Sequence, residues 1–258
     1  PLVPYRHSVT EFVATSSTIA SQVEESMSSS PKTLMVVGAH HDDNEGNAAG
    51  LMVRHRKAGW RVVSVVMTNG RWSHGTMSDE TIAVRNQESL DAAALLDVET
   101  VFMGYDEGGF RATAEACDAM VEQILQIRPD IIMTHPPRDY HFDHMSTSQC
   151  VLEAWYLCPI EAATSGNPLS PALYYYDAVC VPFEPDVFVD ITDYSDVKAQ
   201  AQYCHKSQIP IDGPGDGDIV DLARSRARYR GFESGVTYAE AFRFVPKPGT
   251  VRMAELLG

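Results

Sequence analysis

The sequence predicts an α/β fold, a Rossmann-like and mostly parallel sheet with helices on both faces, and three observations lead there. Short apolar runs alternate with helix-like stretches from about residue 31 to residue 134, the rhythm of βαβ units. A chain of 258 residues with 44% hydrophobic content can bury one large core. Histidines and carboxylates collect just after the apolar runs, where an open parallel sheet has its ligand crevice.

Residues 1–30 are rich in Ser and Thr, yet Phe12, Ile19, Val23 and Met27 recur at intervals that suit one helix face before Ser28-Ser29-Ser30-Pro31 interrupts it. This N-terminal extension is expected to pack on a single domain over 31–258. The run at 34–37, all apolar and too short for a helix, predicts a first strand, and 46–58 predicts a helix that stops at Gly59. The pattern repeats with a strand over 61–68 and an Ala/Leu-rich helix over 81–96. A third strand is expected at 101–103. The helix over 114–128 places Ala116, Met120, Ile124 and Ile127 on one face, and Pro129 ends it, because proline disfavours helical geometry in the residue before it. A fourth strand follows at 130–134. Beyond Pro168, the segments 174–176 and 187–190 are expected as outer C-terminal strands, a helix begins near Asp193, and 213–217 forms a loop.

The formal charge of −15 and pI near 4.9 argue against partners with a phosphate backbone and against anionic membranes, which such a field repels. A neutral or cationic small molecule is the better partner, and a homo-oligomer remains open. No window reaches the roughly 18–20 apolar residues of a membrane span, and no signal-like start is present, so a cytoplasmic protein is expected. The five cysteines include no C-x-x-C pair and are expected as reduced, mostly buried thiols.

The site is read from the strand ends. His40, His41, Asp42 and Asp43 follow the first strand, and Asn69, Gly70, Arg71 and His74 the second. Tyr105, Asp106 and Glu107 follow the third, and His135, Asp139, His141, Asp143 and His144 the fourth. Six of the nine histidines therefore share one edge of the predicted sheet; His7, His55 and His205 do not. Imidazole and carboxylate suit a divalent metal such as zinc, whose catalytic sites use three protein ligands and leave one position open. His40 and Asp43 stand as H-x-x-D, and 141–144 supplies further imidazole. Helix capping would account for Asp42 or Asp43, but not for the flanking histidines.

Ala39-His40-His41-Asp42-Asp43, with His141-x-Asp143-His144 about a hundred residues on, resembles the zinc-dependent deacetylases of the PIG-L/LmbE family, whose first motif usually reads A-H-P-D-D-E. Thr68-Asn69-Gly70 is similar to the family's T-x-G, Arg85-x-x-Glu88 to its R-x-x-E, and Asp106 with Gly108 to its D-x-G. Lys198 to Gln208 and Ala239 to Arg243 resemble its closing segments, so the likeness spans roughly 33–244. Two positions depart from the pattern: His41 replaces the usual proline and Asn44 the usual glutamate, with Glu45 one residue out of register. His41 thereby becomes a candidate competing ligand or substrate contact.

The resemblance implies that His40, Asp43 and His144 bind Zn2+ and that Asp42 is the general base on metal-activated water. It also implies that His141, as an imidazolium near neutral pH, stabilises the oxyanion or protonates the departing amine, with Asp143 holding the His141 ring, and that Arg85 and Asp106 grip sugar hydroxyls. The function implied is removal of an acyl group, normally acetyl, from an N-acylated amino sugar or related small molecule. Two alternatives keep the site: an amidase on a larger thiol conjugate or natural-product glycoside, and a non-catalytic glycan-binding protein. A nucleotide site is disfavoured, since the first strand–helix turn lacks G-x-G-x-x-G and its carboxylates repel pyrophosphate.

Overall fold

The computed structural model describes residues 31–73, 75–177, 181–209 and 218–247. The expected extension over 1–30 with His7, the loop at 213–217, His74 and Cys180 lie outside the described residues.

Strand β1 (Thr33–Gly38) is buried along its whole length, as a strand covered on both faces must be. Alternate side chains point to opposite faces. Met35 and Val37 pack with α3 (Ala114–Ile127) and α4 (Phe142–Thr164). Leu34 and Val36 pack with α1 (Asp43–Lys57), α2 (Asp79–Leu96) and α5 (Ser195–Gln202). The expected doubly wound arrangement is therefore present, with helices on both faces of one sheet.

That sheet has seven strands. With β2 (Arg61–Thr68), β5 (Glu99–Tyr105), β6 (Ile131–Thr134), β7 (Ala172–Tyr176), β8 (Val187–Asp190) and β9 (Ala239–Phe244), the order is β5-β2-β1-β6-β7-β9-β8. The pairs among the first five are parallel, whereas β9 runs antiparallel to both β7 and β8. The chain leaves β1 toward β2 on one side and returns to β6 on the other, so the order reverses at β1 and β6. A crevice opens beyond the carboxyl ends of strands at such a point.

Several elements, β9 among them, exceed what the sequence pattern predicts. A short antiparallel hairpin, β3 (Trp72–Ser73) with β4 (Thr76–Met77), follows β2. Helix α4 contains Pro159 and begins with polar residues, which hide its period; it forms because Cys150, Val151, Ala154, Trp155 and Cys158 bury against α3 and the sheet. Helix α6 (Ile219–Ser234) starts at an Asp218 cap, which accepts from the Asp221 amide at 2.7 Å.

Strand β9 also locks α1. Glu240 is buried and accepts from the Gly50 and Leu51 amides at 3.0 and 2.8 Å and from Lys198 Nζ at 2.6 Å. Arg226 of α6 donates to the Gly46 carbonyl at 2.9 Å. The closing segment thus supports the helix that carries the first motif. Cys117, Cys150, Cys158 and Cys204 are free thiols, three of them buried. Among the described residues, no helix is long and apolar enough to cross a membrane.

Candidate active site

The turn after β1 brings His40, Asp42 and Asp43 to the crevice, and the loop from β6 into α4 brings His135, Asp139, His141, Asp143 and His144 against them. His40 Nδ1 lies 3.1 Å from His144 Nε2 and 3.4 Å from Asp43 Oδ2, and His144 Nε2 lies 3.4 Å from Asp43 Oδ1. Two ring nitrogens 3.1 Å apart cannot both carry a proton; one proton or a shared cation must lie between them. Donors at about 2.0–2.2 Å from a tetrahedral ion stand roughly 3.3–3.6 Å from one another. The three donor atoms therefore fit a divalent cation in both chemistry and spacing.

Two further groupings share these residues: His40–His141–His144 and Asp43–His135–His144 each bring donor atoms within 4.8 Å. His135 Nε2 is 3.1 Å from Asp43 Oδ2, but the Ala39 amide donates to that same nitrogen at 3.1 Å, which occupies the lone pair a metal would need. Burial, then the positive His144, push His135 down to about 4. It packs flat against His144, with ring centroids 3.9 Å apart.

A layer of carboxylates orients the rings. His144 Nδ1 meets Asp139 Oδ1 at 2.9 Å, and His40 Nε2 meets Asp143 Oδ2 at 3.4 Å. Such partners fix the tautomer and strengthen the ligand nitrogen opposite. Burial opposes charge on both rings, but Asp143 and Asp43 raise His40, and Asp43 and Asp139 raise His144. The pair therefore favours a positive charge. Asp143 Oδ2 also accepts from the Gly108 amide at 2.5 Å, while its Oδ1 is buried with no hydrogen-bond partner among the described residues. Burial works against ionised Asp143, yet the contacts with His40 and Gly108 prevail and lower its pKa.

The carboxylate of Asp143 thus meets His40 rather than the His141 ring. His141 instead caps α4, its Nδ1 accepting from the Asp143 amide at 3.1 Å. Burial, then the neighbouring His40 and His144, lower the His141 pKa, which corrects the expectation of an imidazolium there. A neutral ring accepting at Nδ1 carries its proton on Nε2. Capping does not explain Asp42, which precedes α1 yet makes no side-chain capping bond. Its Oδ1 faces Arg85 Nη2 at 3.4 Å.

Arg85 is only 1% exposed. Its Nη1 donates to Glu107 Oε1 and to the Trp72 carbonyl, both at 3.0 Å. It lines the cavity through this network and makes no pair with Glu88, which binds the Ser207 amide and hydroxyl. Asp106 is not brought to the cavity; its side chain, 74% exposed, faces Asn69 and Arg71. Tyr140 and Gln208 were not among the sequence-derived site residues, and Glu107 and Asp139 were placed at the strand ends without a role. Glu107 and Asp139 both follow predicted strands, and that position was their only signal.

His41 is turned away from the ligand cluster. Its Nε2 meets Asn86 Oδ1 at 2.8 Å, and its ring stacks on Phe102 with centroids 5.5 Å apart. The expectation of a competing ligand is thereby corrected: one residue further along the turn, the side chain points beneath α2. Asn44 reaches the backbone between β1 and β2, donating to the Val36 and Val65 carbonyls and to Ser64 Oγ. His55 packs edge-on against Trp60, and His205 is wholly buried with its Nε2 3.5 Å from Glu45.

A doubly wound α/β domain with an imidazole–carboxylate cluster fit to hold a cation at its sheet's switch point is the class of protein that this fold and site define. Residues 35–155 match the family model described as "PIG-L: GlcNAc-PI de-N-acetylase". Over that stretch the chain is similar to the PIG-L family. It is 27% identical over 234 residues to the diacetylchitobiose deacetylase of Thermococcus kodakarensis, covering 83% of this chain and 84% of that protein. It is 26% identical over 186 residues to the probable N-acetyl-alpha-D-glucosaminyl L-malate deacetylase 2 of Bacillus subtilis, covering 68% and 82%. Among solved structures, the conserved protein TT1542 of Thermus thermophilus superposes with a TM-score of 0.73 at 26% identity, covering 87% of this chain and 99% of that one.

Proposed function

We propose that this chain is a zinc-dependent N-deacetylase that removes an acetyl group from an N-acetylated amino sugar or a related small molecule. What carries the reading is the meeting of His40, Asp43 and His144 at 3.1–3.4 Å in a cavity that Asp42 also lines. The deacetylase names of the relatives from Thermococcus and Bacillus support it.

His40, Asp43 and His144 would hold the ion, with His135 beneath them as a packing and orienting group. When bound, zinc polarises an amide carbonyl and makes water acidic enough to attack at neutral pH. Asp42 takes the proton from the attacking water and returns it to the amide nitrogen as the C–N bond breaks and the amine leaves, and Arg85 keeps that carboxylate aimed into the cavity. His141, neutral with its proton on Nε2, donates to the oxygen that becomes negative as the amide carbon turns tetrahedral. Asp143 acts through His40, fixing its ring. Asp106, exposed beside Arg71 and outside the cavity lining, would reach only a hydroxyl of an outlying sugar.

The test is amine release from a panel of N-acetylated sugars by protein loaded with zinc, alongside its metal content. Turnover that survives Asp42→Ala would remove the proposed base. Full zinc occupancy without amine from any acylated sugar would favour a sugar-binding protein over an enzyme.

A further inference from the structure

Resting on the deacetylase reading, we propose that the substrate is a glycoside whose aglycone is an uncharged aryl or alkyl group, held by an apolar rim above the cation site. The cavity over His40, Asp42 and His144 measures about 470 Å³, and its outer wall carries Trp72, Met77, Tyr140 and Ile219. Three of these are large side chains left open to solvent, with Trp72 46%, Met77 52% and Tyr140 57% exposed. Large apolar groups gathered at the mouth of a polar cavity mark a surface that a ligand covers.

The rim is also fixed in place. The Trp72 amide donates to Glu107 Oε2 at 2.7 Å, and its carbonyl accepts from Arg85 Nη1 and from Gln208 Nε2 at 3.0 and 3.2 Å. The hairpin that carries Trp72 and Met77 is thus tied to the residues that hold Asp42. Pre-set aromatic surface binds without an ordering cost, and Trp and Tyr rings accept flat apolar groups on their faces.

Charge selects against an anionic aglycone. Arg85 is the only Lys or Arg among the described residues that line this cavity, and Glu107 and Asp42 already flank it. The carboxylates of Asp42, Asp43 and Glu107, with Asp139 and Asp143 behind the donor rings, outweigh Arg85 and a bound divalent cation in a chain of net −15. A phosphate or carboxylate on the aglycone would be repelled.

Binding and turnover are measured separately on the zinc-loaded and metal-free full chain. Covering part of one aryl face is worth about tenfold in affinity. Phenyl N-acetyl-β-glucosaminide is therefore expected to bind the metal-free protein about tenfold tighter than free N-acetylglucosamine by calorimetry. It should also quench tryptophan fluorescence, a signal lost in Trp72→Phe. With zinc, amine release should show the same order in kcat/KM, through KM, and N-acetylglucosamine 1-phosphate should be the poorest substrate. Met77→Ser should lower kcat/KM for the phenyl glycoside at least several-fold more than for the free sugar. Equal affinity for phenyl glycoside and free sugar, or a preference for the phosphate, overturns the inference and leaves the deacetylase reading standing. Tight aryl-glycoside binding without amine release from any sugar supports the rim and removes the deacetylase reading.

Discussion

The ring of His41 fills the space that a side chain at Gly70 would need: a Cβ built on Gly70 would lie 2.5 Å from His41 Cε1. Gly70 also has φ +73°, in the left-handed region where side chains are disfavoured. The turn after β2 and the histidine in the first motif therefore fit only as a pair. Gly70→Ala should destabilise the protein by about 2–4 kcal/mol, combining backbone strain with overpacking. Chemical denaturation of Gly70→Ala, His41→Ala and the double variant checks this. Strict additivity would show that the two residues do not compete for one space.

His41 should also weaken the fold in acid. Burial, then the nearby Arg85, push its pKa down to about 4 from an ordinary 6.5. Below about pH 6.5 the unfolded chain takes up a proton that the folded protein refuses. Stability from this group is therefore complete above about pH 6.5, falls as pH drops toward 4, and then levels off. The loss is about 3 kcal/mol at most, at roughly 1.36 kcal/mol per unit. His135, also held near 4, leaves a similar limb of its own. Unfolding free energy measured from about pH 7.5 to 4 should fall less steeply in His41→Gln; an unchanged slope would refute the assignment.

The buried ion pair behind α1 supplies a third test. Glu240 ties Lys198 to the Gly50 and Leu51 amides, so Glu240→Gln leaves a buried ammonium without its counter-charge. Burial lowers the Lys198 pKa ahead of the opposing pull of Glu240, so removing the carboxylate leaves only the penalty. A loss of about 3–5 kcal/mol is expected. Adding Lys198→Met should recover part of it, whereas no recovery would mean that the helix contacts of Glu240, not the charge pair, carry the effect.

The strands and most helices were legible because β1 is a continuous apolar run, β2 one broken only by Ser64, and α3 has a clean apolar face. Helix α4 was not, since Pro159 and the polar residues of its first turns conceal a period that only packing against α3 reveals. That histidines and carboxylates gather at the ends of β1 and β6 was legible from the crevice rule for parallel sheets, whereas the choice of His40, Asp43 and His144 came from the family resemblance. Which carboxylate serves which ring was not legible. Asp139 and Asp143 flank the same loop, and their choice between His144, His40 and His141 depends on side-chain directions that spacing does not encode. The same limit applies to His41, whose neighbour His40 points to the opposite side of the turn.

The two carboxylates nearest His40 should separate by what each removal costs. Asp143 meets His40 Nε2 and the Gly108 amide, so Asp143→Asn loosens a proposed ligand without removing it, and zinc affinity should fall about 10–100-fold. Asp42 bonds to no donor ring and faces Arg85. Asp42→Asn should therefore keep stoichiometric zinc while kcat drops by about 10²–10⁴, the usual worth of a general base. Arg85→Gln, which frees Asp42 without touching the three donors, should lower kcat by about 10–100-fold with zinc retained. Chelator competition gives the affinities, and amine release gives kcat. If Asp42→Asn loses zinc while Asp143→Asn keeps it, the roles of the two aspartates are reversed and the proposed division of the site fails.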